Sequence, residues 1–386
     1  MTHNLKSDFQ TASEMPYANN DQIKNKAEIL FKGLSEHLKT IQKDKSLFFK
    51  NGETVYIPDI HGDFVHLMIT LHRHGLLESE VAQPHSLNLK KDFQYVFLGD
   101  FYDRAPDSDV IDYWLNNQIR NKLKIYRLIG NHEMAFFERD PNGYPMIFPS
   151  QDSIKDISND FQITENLLRN IASGNIIAAY VTARSISDPL RLVGDKASEA
   201  VPIEIASALP RNDINQHYIL YVHSYVINED FTELELDINS DIYSFAQALN
   251  ERLKTHGQYA YDLFLEHKKD GKYDWKAIMK SFNDDPLFNM YKKKNDISTS
   301  FIWRRTGLSR LNIFPCELDI EIPNDVYQIV GHTPVFSFDL PKSQEINRPF
   351  IVCAKSGGGK IQFSDVGIGY HYKNDFERPE VTLIKF

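Results

Sequence analysis

Cysteine is scarce: Cys316 and Cys353 are the only two in 386 residues, far apart and in no CxxC pair. A disulfide framework is therefore excluded, and a reducing compartment is mildly preferred. No apolar run approaches the roughly 18 residues that would cross a bilayer, so no transmembrane segment is expected. Residues 1–20 are polar and without an apolar core, so no Sec-type signal peptide is expected and a cytoplasmic, soluble chain is. Positive charge is in deficit, with 43 Lys and Arg against 53 Asp and Glu and a net charge of −10. That balance speaks against nucleic acid or an anionic membrane as partner. Thiol and serine nucleophile motifs are missing too: there is no Cys-x₅-Arg and no Gly-x-Ser-x-Gly.

What is present suits a large globular chain: 42% hydrophobic, 25% charged and 12% aromatic residues can bury a sizeable core. Residues 1–20 lack periodicity and read as a flexible N-terminus. From Asp21 to about Asp44 the apolar residues recur at helical spacing. Short β-prone runs follow at 54–57, 95–98, 124–129, 218–222 and 326–330, with helix-like segments at 64–77 and 108–121 between the first three. Strands alternating with helices predict an α/β layered fold. Further helices are expected over 163–180, 240–256 and 273–294, and strands over 349–354, 360–364 and 380–386. Residues 21–386 are read as a single catalytic domain, with 134–216 and 228–300 as insertions that build a helical cap.

The polar cluster after each strand carries the chemistry. The clusters are Asp59-Ile60-His61-Gly62, then Gly99-Asp100-Phe101-Tyr102-Asp103-Arg104, then Gly130-Asn131-His132-Glu133, then His223-Ser224 and finally Gly331-His332. Ligands of open α/β sheets bind beyond the carboxyl ends of the strands, so these side chains would converge on one place. Carboxylates and imidazoles gathered there repel and lose solvation unless a cation joins them. Carboxylates, a carboxamide and imidazoles suit Mn, Fe or Zn. One carboxylate shared by two such ions sets them about 3.5–4 Å apart, a spacing used for in-line displacement at phosphorus. Taken singly, each of these residues is an ordinary turn or cap residue.

Together, Asp59-x-His61-Gly62, Gly99-Asp100-x-x-Asp103-Arg104 and Gly130-Asn131-His132-Glu133 resemble the three signatures of the PPP phosphoprotein phosphatases. These belong to the calcineurin-like metallophosphoesterases, whose fold is a β-sandwich flanked by helices. The resemblance covers about 50–133, 218–226 and 300–370. It implies two divalent cations, with Mn²⁺ first and Fe or Zn as alternatives. Asp59, His61 and Asp100 would hold one, and Asp100, Asn131, His223 and His332 the other. It makes His132 the general acid, with Asp103 orienting it, and Arg104 a phosphate ligand. Asn131 and His132 also face the substrate phosphate. A second phosphate-binding arginine is expected in Phe301–Arg305, with Arg305 preferred. The departures are Pro58, Asp63, Tyr102 and Ala105, none of which removes a ligand. The polar N-terminus and helical insertions are similar to those of translocated effector phosphatases of the Legionella Wip type, which implies host-cell proteins as targets and a non-Sec route of delivery.

The activity implied is hydrolysis of phosphoserine, phosphothreonine or phosphotyrosine in a phosphoprotein or phosphopeptide, by direct attack of a hydroxide bridging the two metals. A dinucleoside polyphosphate or other small phosphoanhydride is the alternative substrate. A non-catalytic metal-containing binding protein is the alternative of another class. Ser356–Lys360 lacks the P-loop pattern and reads as a hairpin turn. Lys292–Lys294 reads as a solvated charge run, and His66, His72 and His74 as solvated or helix-packing residues. Phe101 or Tyr102 could touch substrate.

Overall fold

The computed structural model describes residues 20–78, 87–102, 104–137, 161–185, 216–237, 240–289 and 300–304, the strand segments 317–318, 326–334, 350–354 and 359–365, and positions 323, 368 and 383. Two β-sheets form its centre. Strands β1 (Thr54–Ile57), β2 (Gln94–Phe97), β3 (Lys124–Leu128) and β4 (Ile176–Ile177) lie side by side in that order, all parallel. Every residue of β1 and β2 is buried, which is why they read as unbroken apolar runs rather than alternating ones. The second sheet has six strands: β5 (Ala179–Ser185), β6 (Gln216–Val222), β7 (Glu317–Leu318), β8 (Val326–Pro334), β9 (Phe350–Ala354) and β10 (Lys360–Asp365). Their order is β5-β6-β8-β10-β9-β7, with β6, β8 and β10 parallel.

The sheets face one another. Tyr126 of β3 stacks on Tyr180 of β5 at 3.8 Å between ring centroids. Gln94 Nε2 donates to Tyr180 Oη (2.6 Å), and Gln362 of β10 donates to Tyr56 Oη of β1 (2.8 Å). Helices α1 (Asn20–Leu38), α2 (Phe64–Arg73) and α3 (Ser108–Arg120) pack together through Phe31, Phe64 and Trp114, with centroids 5.3 and 5.7 Å apart. The remaining described α-helices are α4 (Asn131–Ala135), α5 (Phe161–Ala172), α6 (Asn228–Glu233), α7 (Ile242–Asp270) and α8 (Trp275–Asn283). Asp63, Asp241 and Asp274 cap α2, α7 and α8, each accepting a backbone N–H from the first turn. The α/β class and the sandwich flanked by helices are as expected.

Several boundaries differ. The helix expected over 163–180 stops at Ala172, where Gly174 (φ +74°) turns the chain, and 176–185 form β4 and β5. A run of Ile, Ala, Tyr, Val and Thr fits either period, and pairing with β3 and β6 decides it. α1 ends at Leu38, six residues short of expectation, and a 3₁₀ turn follows at Lys45–Leu47. α7 runs on to Asp270 and α8 ends at Asn283. Most of the strand expected over 380–386, the 355–358 turn and Lys292–Lys294 lie outside the described residues. β9 and β10 flanking that turn do pair antiparallel. His66 and His74 are buried, His72 Nε2 lies 3.2 Å from the Ile41 carbonyl, and none of the three belongs to a group of converging metal donors among the described residues. Among the described residues no helix is long and apolar enough to cross a membrane.

Candidate metal centre

Adjacent parallel strands deliver adjacent side chains. Asp59, Asp100 and Asn131 follow β1, β2 and β3, while His223 follows β6 and His332 sits near the end of β8, on the facing sheet. The loops leave the strands at sharp angles. Of the six non-glycine residues with positive φ among those described, four are His61 (50°), Asp100 (52°), Arg104 (58°) and His332 (58°). Left-handed backbone disfavours such side chains, and strain of this kind persists where surrounding contacts over-determine it. Those contacts are visible. The Asp100 carbonyl accepts Ile60 N–H (3.0 Å) and His61 N–H (2.9 Å), Gly62 N–H reaches Phe101 O (2.9 Å), and Ala105 N–H reaches His61 O (2.9 Å).

The side chains of Asp59, His61, Asp100, Asn131, His132, His223 and His332 are all buried. Two groups have donor atoms within 4.8 Å of one another: His61, Asp100 and His132, and Asp100, His223 and His332. Asp100 belongs to both. Its Oδ2 lies 3.5 Å from His132 Nε2 and its Oδ1 3.4 Å from His223 Nε2, while Asp59 Oδ2 lies 3.9 Å from His61 Nε2. His332 N–H spans the two carboxylate oxygens of Asp59 at 3.1 Å each.

The donor set fits a cation. His223 Nδ1 is 2.7 Å from the Leu98 carbonyl, which in the neutral ring fixes the proton on Nδ1. Nε2 then turns its lone pair towards Asn131 Oδ1 at 2.9 Å and Asp100 Oδ1 at 3.4 Å. Three acceptors facing one point is a poor arrangement for a protein alone and a good one around a divalent ion. Asn131 Nδ2, on the other side of that carboxamide, has no hydrogen-bond partner among the described residues.

Arg104 is described and partly buried, in the turn leaving Asp100. Asp103 and Arg305 lie outside the described residues. Arg304, next to Arg305, is buried in a bidentate pair with Asp230 (2.6 and 2.9 Å) and donates to the Tyr225 carbonyl (2.8 Å). Ser224 Oγ donates in turn to the Arg304 carbonyl, so this pair braces the turn after His223. Phe101 and Tyr102 are buried, and Tyr102 Oη donates to Asp112 (3.0 Å). Tyr102 also packs edge-on against Phe136, with ring centroids 5.3 Å apart.

Three supporting residues carried no expected role. Gln328, in mid-strand β8, accepts Val226 N–H and donates to Val226 O, both at 2.8 Å, and so holds the His223 turn. Asp230 anchors Arg304. Glu133 gathers the backbone of two motifs: Oε2 accepts Asp100 N–H (2.8 Å) and Gly130 N–H (2.9 Å), and Oε1 accepts Phe101 N–H (2.7 Å). Burial pushes its carboxyl pKa up to about 7, against the opposing pull of those N–H donors. The available signal was its position three residues after Gly130, from which a carboxylate can reach back to the N–H at the helix start. Glu133→Ala leaves three buried N–H groups unsatisfied, at about 1–3 kcal/mol each. Urea unfolding is expected to register a loss of roughly 3 kcal/mol or more; a loss under about 1 kcal/mol would show that the loops stand without it.

Several comparisons bear on identity. A candidate serine/threonine-protein phosphatase of Caenorhabditis elegans is 37% identical over 81 residues, which are 21% of this chain and only 15% of that relative's length. A cold-active protein tyrosine phosphatase solved at 1.1 Å aligns over 88% of this chain and 76% of its own, with 14% identity and a TM-score of 0.41. The corresponding enzyme of a psychrophilic Shewanella species aligns over 87% and 77%, with 14% identity and a TM-score of 0.36. Likenesses that loose fix neither fold nor substrate. Far more of the chain is accounted for by the match of residues 54–336 to the calcineurin-like phosphoesterases. That stretch opens on the first residue of β1, closes just past the His332-bearing strand and takes in every buried donor described above: the chain belongs to the calcineurin-like phosphoesterase family.

Proposed function

We propose that this chain is a metal-dependent phosphoprotein phosphatase of the PPP branch that hydrolyses phosphomonoesters on protein side chains. The observation that carries the reading is the sharing of Asp100 between two buried donor groups. In that reading Asp59, His61 and Asp100 hold one divalent cation, and Asp100, Asn131, His223 and His332 a second, with Mn²⁺ favoured. Cations there supply Lewis-acid polarisation of the phosphoryl group and acidify water towards neutral pKa.

The protein's own groups do the rest. Arg104 holds phosphoryl oxygens through paired N–H donors, aided by Asn131 and, in the segment after Arg304, by Arg305. His132 gives the proton on Nε2 to the departing alkoxide or phenoxide, with Asp103 orienting its ring. Its backbone N–H, bonded to Asp100 Oδ1 at 2.9 Å, ties the acid to the shared carboxylate. Of the expected cap segments 134–216 and 228–300, residues 176–185 belong to the two sheets as β4 and β5, and α5, α7 and α8 would shape the cleft. The three motifs and the short stretch shared with the C. elegans relative favour phosphoserine and phosphothreonine over a small phosphoanhydride. The polar N-terminus and insertions favour a translocated effector acting on host phosphoproteins.

Removing metal with a chelator is expected to cut p-nitrophenyl phosphate turnover more than about a hundredfold, with recovery on adding Mn²⁺. Phosphoserine, phosphothreonine and phosphotyrosine peptides assayed alongside would rank the substrate. Inert peptides beside rapid hydrolysis of diadenosine tetraphosphate would replace the phosphoprotein reading. Inactivity on all substrates with two metals per chain would leave a binding protein.

A further inference from the structure

Lys26 is an anomaly on α1. It sits between Ile23 and Ala27, Leu30 and Phe31, all buried, and is itself only 3% exposed. Packing alone calls for an apolar residue there, since lysine is almost never fully buried unless paired. Three of its partners belong to one turn. Nζ donates to the Pro106 carbonyl (2.7 Å) and to Asp109 Oδ1 (2.9 Å), and lies 3.6 Å from Asp107 Oδ1. Asp107 occupies the N-cap position of α3, yet its side chain accepts no capping hydrogen bond.

This turn is the one that carries Arg104 away from Asp100. Its backbone is also bonded to the His61 loop: Ala105 N–H to His61 O (2.9 Å) and Asp107 N–H to Gly62 O (3.1 Å). Arg104 itself adopts φ +58°, a conformation that its neighbours must hold. The turn is thus held by backbone bonds to the His61 loop and by the Lys26 ammonium. That group lies on a helix outside residues 54–336, the stretch matched to the family.

We propose that Lys26 is a positioning residue for phosphate binding: it fixes the 104–109 turn so that the Arg104 guanidinium is presented to the phosphoryl group, which makes α1 a working part of the active site. The inference rests on the reading of Arg104 as a phosphate ligand. Lys26 touches neither substrate nor metal and acts only through the turn. A buried ammonium that donates to a carbonyl and a carboxylate, with a second carboxylate 3.6 Å away, holds the turn more specifically than an apolar contact, which tolerates sliding.

The test uses the full chain with Lys26→Met, Lys26→Arg and the double variant Lys26→Met/Asp109→Asn, which removes both members of the closest pair and leaves less uncompensated charge buried. Lys26→Met is expected to raise KM for p-nitrophenyl phosphate and Ki for inorganic phosphate about tenfold, with kcat within about threefold and metal content unchanged. Lys26→Arg is expected to restore most of the loss. Hydrogen exchange at the Ala105 and Asp107 amides should quicken about tenfold in Lys26→Met. A folded Lys26→Met, or the double variant if the single one does not fold, with wild-type KM and phosphate Ki would overturn the proposal. So would a parallel fall in kcat and bound metal, which marks general loosening. If the wild type neither hydrolyses the ester nor binds phosphate, the phosphatase reading fails by itself, and unchanged amide exchange in the variant would separately dismiss the grip on the turn.

Discussion

Asp100→Asn is expected to lower kcat on p-nitrophenyl phosphate by at least about a thousandfold, close to 4 kcal/mol of transition-state stabilisation, while leaving the fold intact. Asp100 is the one residue in both donor groups, so its replacement would strike both of the proposed cation positions at once. A carboxamide keeps the shape and one acceptor oxygen, which can still receive His132 N–H, but loses the negative charge and a second lone-pair face. The substitution should not weaken the metal-free protein. Asp59 and Asp100 are both buried, and without cations an ionised Asp100 carries a desolvation penalty that the amide relieves. The informative pair of measurements is therefore turnover with bound metal per chain, and thermal unfolding in chelator. Near-wild-type turnover would remove Asp100 from the centre; a collapse of the metal-free fold would make its role structural.

Gly130→Ala should be almost as damaging, for a purely steric reason. A Cβ there would lie 2.2 Å from Asp100 Oδ1, 2.4 Å from Asp100 N and 2.8 Å from Glu133 Oε2. Two of these atoms are the centre's shared carboxylate and its own backbone, so nothing flexible can yield. Either the Asn131–Ala135 helix start or the Asp100 loop must move by a sizeable fraction of an ångström. Misplacement of about that size can cost about a hundredfold in rate. We expect a fall of about a hundredfold or more in kcat/KM together with weaker metal retention. Gly174→Ala makes a suitable control: its added Cβ meets nothing within 4 Å, so it should cost only the left-handed backbone penalty of about 1 kcal/mol and leave turnover alone. Equal behaviour of the two variants would discredit the steric account.

The donors were legible because each is local to a strand end. A short apolar run followed at once by Asp, His or Asn needs no knowledge of tertiary structure, and the structure gathers Asp59, His61, Asp100, Asn131, His132, His223 and His332 into one buried cluster. The braces were not legible, because their partners are remote in the chain. Gln328 holds Val226, Arg304 holds Asp230, and Lys26 holds Asp109, none within 70 residues of its partner. Gly257 shows a different failure. It reads as a helix stop, and the helix was expected to end just before it. In the structure it is the crossing point of α7 on α5, where a Cβ would lie 2.3 Å from Ile171 Cγ2. The missing side chain buys close packing rather than a turn. At 176–181 the sequence is ambiguous in itself, and only strand pairing resolves it.

The donors are drawn from both sheets: His332 of one spans Asp59 of the other, and His223 reaches Leu98 and Asn131 across the same gap. Ions lodged there would act as a rivet through two plates, so that neither plate can peel without shedding cargo. Durability and output would then share one control. At a hundredfold excess of free cation over its dissociation constant, each site adds about 2.7 kcal/mol to the folded state. In a compartment starved of that ion the idle enzyme would also be the perishable one, cleared by proteases sooner than its working copies.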